Sequence, residues 1–188
     1  MPFFSNNVIF IRHGETEWNL QNRTQGHLNS PLTERGITQA REAAEKLKDY
    51  KFDIVVSSHL GRAYETAKII AEKLGILEII TDSSLLERNI GILQGNIAEE
   101  SKIKFPNLFN NGVLIHNAKI PNGESLEDFL ERVGRGIENL KEISKTKTIL
   151  VVTHDGVLNA IVSHLKGINF SDVGKSYQFK NCEPVILS

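Results

Sequence analysis

Short apolar runs that each end in polar residues are the clearest pattern along the chain. Runs rich in Val, Ile and Leu occupy residues 8–11, 54–56 and 149–152. Their length and β-branched content predict buried strands. A weaker run at residues 77–80 predicts a further strand, and the tail from residue 177 to 187 predicts one or two more.

Other stretches repeat apolar residues every three or four positions, which predicts amphipathic helices. These stretches span residues 33–47, 60–74, 125–140 and 156–165, with a shorter one at 97–105. Thr33 is in place to cap the first helix, and Gly75 is in place to end the second. Because strands alternate with helices, we expect an α/β fold with a mostly parallel sheet.

Polar side chains follow the three strongest strands directly. They are Arg12-His13, Ser57-Ser58 and Thr153-His154. The carboxyl ends of parallel strands share one edge of a sheet, so these side chains should meet there, beside helix N-termini that attract anions. Arg62 lies in the first turn of a predicted helix, where the helix dipole disfavours a cation. Its position favours an anion in the same space.

Arginines and histidines at such an edge suit a phosphoryl group. Arg12 and Arg62 can each bind phosphate oxygens with a planar pair of donors. A neutral His13 ring can attack phosphorus if its other nitrogen is bound to an acceptor. The leaving alkoxide then needs a proton, for which Glu87 and Asp155 are the candidates.

The composition bounds the class of protein. The chain has 188 residues, 40% of them hydrophobic and 24% charged, which fits one domain spanning residues 1–188. A net charge of −1 gives no general attraction to nucleic acid or to an anionic membrane, and no apolar run reaches the ~20 residues that span a bilayer. The lone Cys182 excludes an internal disulfide, and the first residues lack the basic start of a signal peptide. We therefore expect a cytoplasmic protein.

Residues 96–122 have weak periodicity and frequent asparagine, apart from the short helix predicted at their start. Long loops in compact domains usually serve binding or cover an active site. We therefore predict that residues 88–123 form a substrate lid or specificity insert within the single domain.

Five ordered blocks carry a more specific signal. They are Arg12-His13-Gly14-Glu15-Thr16, Pro31-Leu32-Thr33-Glu34-Arg35-Gly36, Ser57-Ser58-His59-Leu60-Gly61-Arg62-Ala63, Leu86-Glu87-Arg88-Asn89-Ile90-Gly91 and Thr153-His154-Asp155-Gly156. In this order they resemble the histidine phosphatase superfamily, in particular its phosphoglycerate-mutase-like branch. The resemblance implies a three-layer α/β/α sandwich around a mostly parallel central sheet.

The resemblance also implies a role for each reactive side chain. His13 matches the nucleophile that becomes phosphorylated in members of the family. Arg12 and Arg62 match the two arginines that bind the phosphoryl group. His154 matches the second histidine of the phosphate pocket, and Glu87 matches the proton donor.

Further positions match or depart from the family. Asn19, Gln25 and Gly26 match positions that bind substrate or phosphate. Gln94 replaces a glutamate that many relatives carry, and Asp155 replaces a glycine. The acid-phosphatase branch of the superfamily uses the aspartate of a His-Asp pair as its proton donor, so Asp155 is both a pocket residue and the alternative donor to Glu87.

The expected function is a phosphomonoesterase that acts on small phosphorylated metabolites through a phosphohistidine. The alternative is a cofactor-dependent phosphotransferase of the phosphoglycerate-mutase type, and a third candidate is a non-catalytic module that binds a phosphorylated ligand. The insert has few basic residues to bind a substrate carboxylate, which favours the phosphatase. No metal-ligand spacing is present, and the mechanism requires no metal or cofactor. The expected partner is a small phosphomonoester, and the protein is expected to be a monomer or a homodimer.

Overall fold

The computed structural model describes residues 4 and 7–187. The expectation about a signal peptide concerns N-terminal residues that lie mostly outside this part. The strands are β1 (Val8–Arg12), β2 (Ile54–Ser57), β3 (Ile79–Thr81), β4 (Phe109–Asn110), β5 (Val113–Leu114) and β6 (Ile149–Thr153). The helices are α1 (Glu17–Leu20), α2 (Glu34–Leu47), α3 (Gly61–Leu74), α4 (Ala98–Lys104), α5 (Leu126–Ser144), α6 (Asp155–Lys166) and α7 (Phe170–Ser176). Short 3-10 turns lie at Ser83–Leu85, Gly91–Leu93 and Pro106–Leu108.

A parallel sheet of four strands forms the centre of the fold, in the order β1-β6-β2-β3. Strand β6 lies between β1 and β2, with Arg12 opposite Thr153 and Ser57 opposite Val152. The three strand ends that the sequence predicted to meet are therefore neighbours. The predicted α/β fold with a parallel central sheet is confirmed.

Helices cover both faces of this sheet because alternate strand residues point to opposite sides. On one face, Val8 and Phe10 pack with apolar residues of α5, α6 and α7. On the other face, Ile9 and Ile11 pack with the alanine-rich sides of α2 and α3. The result is the expected three-layer α/β/α arrangement.

Two strand predictions need correction. Strand β3 begins at Ile79, later than predicted, and Leu77 is fully exposed. The tail forms only isolated bridges to β1, at Asn181 and Val185, in place of the predicted strands. A ladder is interrupted there because Cys182 has a positive φ of 55° and Pro184 has no N–H to donate.

The insert contains α4, two of the 3-10 turns and the two-stranded hairpin β4-β5. The short helix predicted at its start is confirmed as α4. Among residues 4 and 7–187, no helix combines the length and apolar character that crossing a membrane requires.

Candidate active site

A cavity of about 250 Å³ lies at the carboxyl ends of β1, β2 and β6. Its lining contains every residue that the sequence assigned to the site except His154: Arg12, His13, Asn19, Gln25, Gly26, Arg62, Glu87 and Asp155. His154 lies beside this cavity, with its ring centroid 5.3 Å from that of His13. The structure therefore brings together all the predicted side chains.

His13 follows β1 and is buried at the floor of the cavity. Its backbone N–H donates to Thr153 O (2.9 Å), and its ring Nδ1 lies 2.8 Å from Gly14 O. A carbonyl only accepts, so Nδ1 carries the proton and the neutral ring has its lone pair on Nε2. Burial, followed by the charges of Arg62 and Arg12, lowers the pKa of His13 well below 6.5. The ring is therefore neutral and nucleophilic at neutral pH.

His154 follows β6 and is fully buried. Its Nε2 lies 2.8 Å from Ser58 Oγ, whereas its Nδ1 has no hydrogen-bond partner among the described residues. Burial, followed by the charge of Arg62, lowers the pKa of His154 well below 6.5. A second neutral imidazole thus lies beside His13, with its buried Nδ1 unpaired among the described residues.

Arg62 is the most deeply buried cation of the site, with 1% of its surface exposed. Its Nη1 donates to Leu28 O (2.9 Å) and its Nη2 donates to Gly26 O (2.8 Å). Its Nε is buried without a partner in the part of the chain that the structure describes. Burial lowers the pKa of Arg62 to about 10, so the side chain keeps its charge at neutral pH. The carbonyls fix the guanidinium plane beside the cavity.

The segment that supplies these carbonyls, residues 19–30, is polar and irregular in sequence, a pattern typical of a surface loop. Its residues Gln25 and Gly26 instead line the cavity, and the carbonyls of Gly26 and Leu28 accept from the Arg62 guanidinium. A backbone carbonyl leaves no mark in the sequence, so this contact could not be predicted.

Arg12 lies on the opposite side of the cavity. Its Nη1 donates to Phe179 O (2.9 Å) and lies 3.4 Å from Asp155 Oδ1. Its Nε is buried and, within residues 4 and 7–187, has no hydrogen-bond partner. Arg12 and Arg62 therefore both line the cavity, and the Nε donor of each has no partner among the described residues.

Glu87 reaches the cavity from the turn that follows β3. Its Oε1 accepts from the N–H of Arg88 (2.8 Å), and its Oε2 accepts from the N–H of Gly156 (3.2 Å). Burial raises the pKa of Glu87, against the opposing effect of the Arg88 hydrogen bond. A carboxyl with a raised pKa holds a proton to higher pH, which is the property of a general acid.

Gly156, at the start of α6, lies directly against the Glu87 carboxyl, which leaves no space for a side chain at position 156. A Cβ at this position would overlap Glu87 Oε1. We expect Gly156→Ala to displace the carboxyl and to lower kcat/KM for an alkyl phosphate by about 10- to 100-fold. The melting temperature should change little, since alanine favours a helix more than glycine does.

A matched control is Gly134→Ala in α5, where an added Cβ has no heavy atom within 4 Å among the described residues. This variant should keep full activity and gain slightly in stability. Unchanged activity of Gly156→Ala would show that the Glu87 carboxyl does not need this location.

Asp155 is more open than Glu87, with 44% of its side chain exposed. Its Oδ1 lies 3.4 Å from Arg12 Nη1, and its Oδ2 accepts from Asn159 Nδ2 (3.1 Å). Burial raises the pKa of Asp155, while the charge of Arg12 lowers it. Both candidate acids therefore line the cavity, and burial raises the pKa of each.

Asn19 and Gln25 meet at Thr16. Asn19 Oδ1 accepts from the N–H of Thr16 (3.1 Å), forming the cap of α1, and Gln25 Nε2 donates to Thr16 Oγ1 (2.9 Å). Gln25 Oε1 has no partner among the residues described. These contacts hold both amides at the wall of the cavity.

Four residues of the lining were not assigned from the sequence: Arg23, Thr24, Arg88 and Ile90. His27, whose polar sequence context is typical of a loop residue, also contacts the site. Its Nε2 lies 2.7 Å from Glu87 O. The place of His27 directly after the Gln25-Gly26 match was the one signal that could have identified it.

The two buried histidines make stability depend on pH. The unfolded chain binds protons at these rings below about pH 6.5, whereas the folded protein does not, because both pKa values are lowered. The free energy of unfolding should therefore fall as the pH drops from 6.5 toward the lowered pKa values. Urea unfolding on both sides of this pH measures the fall. The free energy of unfolding of His154→Gln should fall less over the same pH range. A fall equal to that of the parent would contradict a lowered pKa at His154.

A wider crevice of about 720 Å³ lies on the far side of Arg12 and Asp155, between α2 and the tail. His13, Arg62 and Glu87 do not line it. The reactive groups therefore belong to the smaller cavity. Among residues 4 and 7–187, no group of three or more His, Cys, Asp or Glu side chains is arranged to hold a metal ion.

Comparison with known proteins gives a consistent picture. The family described as "Histidine phosphatase superfamily (branch 1)" matches residues 8–188. Phosphoglycerate mutase-like protein 4 of Arabidopsis thaliana is 40% identical over 160 residues, which cover 82% of this chain and 68% of that protein.

Two solved structures share the fold. The alpha-ribazole phosphatase of Shigella flexneri superposes with a TM-score of 0.79 and 28% identity, over 94% of this chain and 87% of that one. A mycobacterial glucosyl-3-phosphoglycerate phosphatase, solved with VO3, superposes with a TM-score of 0.79 and 25% identity, over 94% and 88%.

Proposed function

This chain belongs to branch 1 of the histidine phosphatase superfamily, and we propose that it hydrolyses small phosphomonoesters through a phosphohistidine at His13. It is an enzyme of that family, with phosphatases and a phosphoglycerate mutase-like protein among its relatives. The observation that carries the proposal is the state of the His13 ring. Its Nδ1 donates to Gly14 O at 2.8 Å, which leaves Nε2 with a lone pair in a cavity between two arginines.

In the first half-reaction, Nε2 of His13 attacks phosphorus and the ester P–O bond breaks. Nε donors of Arg12 and Arg62 stabilise charge on the equatorial oxygens. The Nδ1–H of His154 donates to one of these oxygens, while its Nε2 accepts from the Ser58 hydroxyl. The leaving alkoxide takes a proton from the Glu87 carboxyl, whose pKa is raised by burial.

In the second half-reaction, water attacks the phosphorus of phospho-His13. Glu87, now a carboxylate, takes a proton from this water as the P–N bond breaks. Inorganic phosphate leaves, and both the His13 lone pair and the Glu87 proton are restored. Asn19, Gln25 and Asp155 contact the transferred group or its alcohol from the cavity wall.

The insert favours water as the final acceptor. Only its first residues, Arg88 and Ile90, line the cavity, and none of residues 91–123 contributes to the lining that the structure describes. A mutase passes the phosphoryl group from the histidine back to its substrate. It must therefore keep the phosphorylated intermediate in a closed site until the histidine is phosphorylated again. We therefore propose that residues 88–123 act as a specificity segment through Arg88 and Ile90.

A mutase of the phosphoglycerate type is the second candidate, supported by the Arabidopsis relative's name. Two further arginines, Arg23 and Arg88, line the cavity and provide positive charge for a second acidic group of a substrate. The chemistry at His13 would be the same, and only the acceptor would differ.

Phosphate release from a panel of phosphomonoesters, with a chelator present, tests the proposal directly. A parallel assay supplies 3-phosphoglycerate and a bisphosphoglycerate primer and follows isomerisation. We expect steady release of phosphate and slow isomerisation. Rapid isomerisation with little release of phosphate would reject the phosphatase in favour of the mutase.

A further inference from the structure

Arg132 of α5 makes an unusual set of contacts for a helix residue. Its Nη1 donates to Ser84 O and to Leu86 O, both at 2.9 Å. Its Nη2 lies 3.3 Å from Glu87 O. Its Nη1 also lies 3.4 Å from Ser83 O, so one guanidinium contacts four backbone carbonyls of the segment that ends at Glu87.

Glu124 holds this guanidinium in place from the other side. Its Oε1 accepts from Arg132 Nε (2.8 Å) and its Oε2 accepts from Arg132 Nη2 (2.8 Å), a two-pronged pair in which each side chain is 15% exposed. A planar pair of this kind fixes orientation as well as distance.

Glu124 also binds the residues that follow Glu87. Its backbone O accepts from Arg88 Nη2 (3.1 Å), and its Oε2 accepts from the N–H of Asn89 (3.3 Å). The Glu124–Arg132 pair thus fixes the backbone on both sides of the acid.

The location of the Glu87 carboxyl depends on this backbone. The carboxyl oxygens accept from only two N–H groups, those of Arg88 and Gly156, within the described residues. The first of these N–H groups belongs to the same turn. A shift of the turn would therefore move both the Glu87 carboxyl and one of its two N–H donors, that of Arg88.

Stability alone is a weak reason for this arrangement. Paired buried charges are often no more stabilising than apolar residues of similar size. Directional donors to several carbonyls at once are what a guanidinium supplies and an apolar side chain does not.

We propose that Arg132, oriented by Glu124, is a positioning residue that sets the location of the Glu87 carboxyl for proton transfer. The proposal rests on the function proposed above, in which Glu87 protonates the leaving group. Arg132 does not line the cavity, so it acts through Glu87 and not on the substrate.

The test compares Arg132→Lys and Arg132→Met with the parent on an aryl phosphate and on an alkyl phosphate. The aryl leaving group departs with little need for a proton, whereas the alkoxide needs one. We expect kcat/KM for the alkyl phosphate to fall about 10- to 100-fold, and that for the aryl phosphate to fall less than about 3-fold. The ratio of the two values does not depend on the fraction of enzyme that is folded.

Arg135→Met is the matched control, because Arg135 lies one turn later on α5, pairs with Glu131 and is 62% exposed. The ratio of kcat/KM for the alkyl phosphate to kcat/KM for the aryl phosphate should be the same in Arg135→Met as in the parent. Arg132 variants with equal losses on both substrates, or with none, would overturn the positioning role. Glu87→Gln separates the two ideas: a parent-like ratio in that variant would reject Glu87 as the acid, and with it the premise.

Discussion

Replacement of His13 by alanine is expected to lower phosphate release by on the order of 10⁴- to 10⁶-fold, the range seen when a nucleophile is removed from an enzyme. The loss should be this large because alanine provides no atom that can accept the phosphoryl group. Arg12, Arg62 and His154 remain in place, so the variant should still bind the substrate. Steady-state release of phosphate measures the first effect, and equilibrium binding of inorganic phosphate measures the second.

His59→Ala is the matched control, since His59 is exposed and lies next to the end of β2. It should retain the activity of the parent. His13→Ala with more than a tenth of the parent activity would reject the covalent mechanism, because His13 is the only histidine among the described residues that line the cavity.

Glu87→Gln is expected to lower kcat/KM for alkyl phosphates by about 10²- to 10⁴-fold, the usual contribution of a general acid. Glutamine keeps the shape and an acceptor for the N–H of Gly156, but has no acidic proton. Activity on an aryl phosphate should be affected far less.

The raised pKa of Glu87 also sets the sign of the pH dependence: kcat/KM for alkyl phosphates should fall as the pH rises through this pKa. The Glu87→Gln variant should not show this fall in kcat/KM with rising pH.

Asp155→Asn is the companion measurement, because Asp155 is the alternative donor. Its carboxyl faces Arg12 and Asn159 and is partly open to solvent, so we expect a similar loss on both kinds of substrate. A loss confined to alkyl phosphates in Asp155→Asn, with little effect of Glu87→Gln, would assign the proton to Asp155 instead.

The central fold could be predicted because it follows from local patterns. Apolar runs of strand length alternate with helical periodicity, and such an alternation forces the strand ends to one edge of a parallel sheet. That edge predicts Arg12-His13 next to Thr153-His154, and the pairing of Arg12 with Thr153 confirms it. Arg62 is predicted as a site residue for a second reason, since a cation in the first turn of a helix favours an anion in the same space.

The remaining contacts depend on chain segments far apart in sequence. Arg12 is bound by Phe179 O, and His13 O accepts from Asn181 Nδ2 (2.7 Å), both in the irregular tail. Periodicity shows which face of an element is buried, but not which loop carbonyl a polar side chain will meet. Arg132 illustrates the same limit, because α5 looks like an ordinary amphipathic helix with a polar face.

The most direct test of the account is to trap the intermediate. Enzyme mixed rapidly with a ³²P-labelled phosphomonoester and quenched in alkali should carry acid-labile label, and peptide mapping should place it on His13 during turnover. The label should disappear at the rate at which phosphate is released. Release of phosphate with no label on the peptide that contains His13, or with label on another residue, would contradict the account.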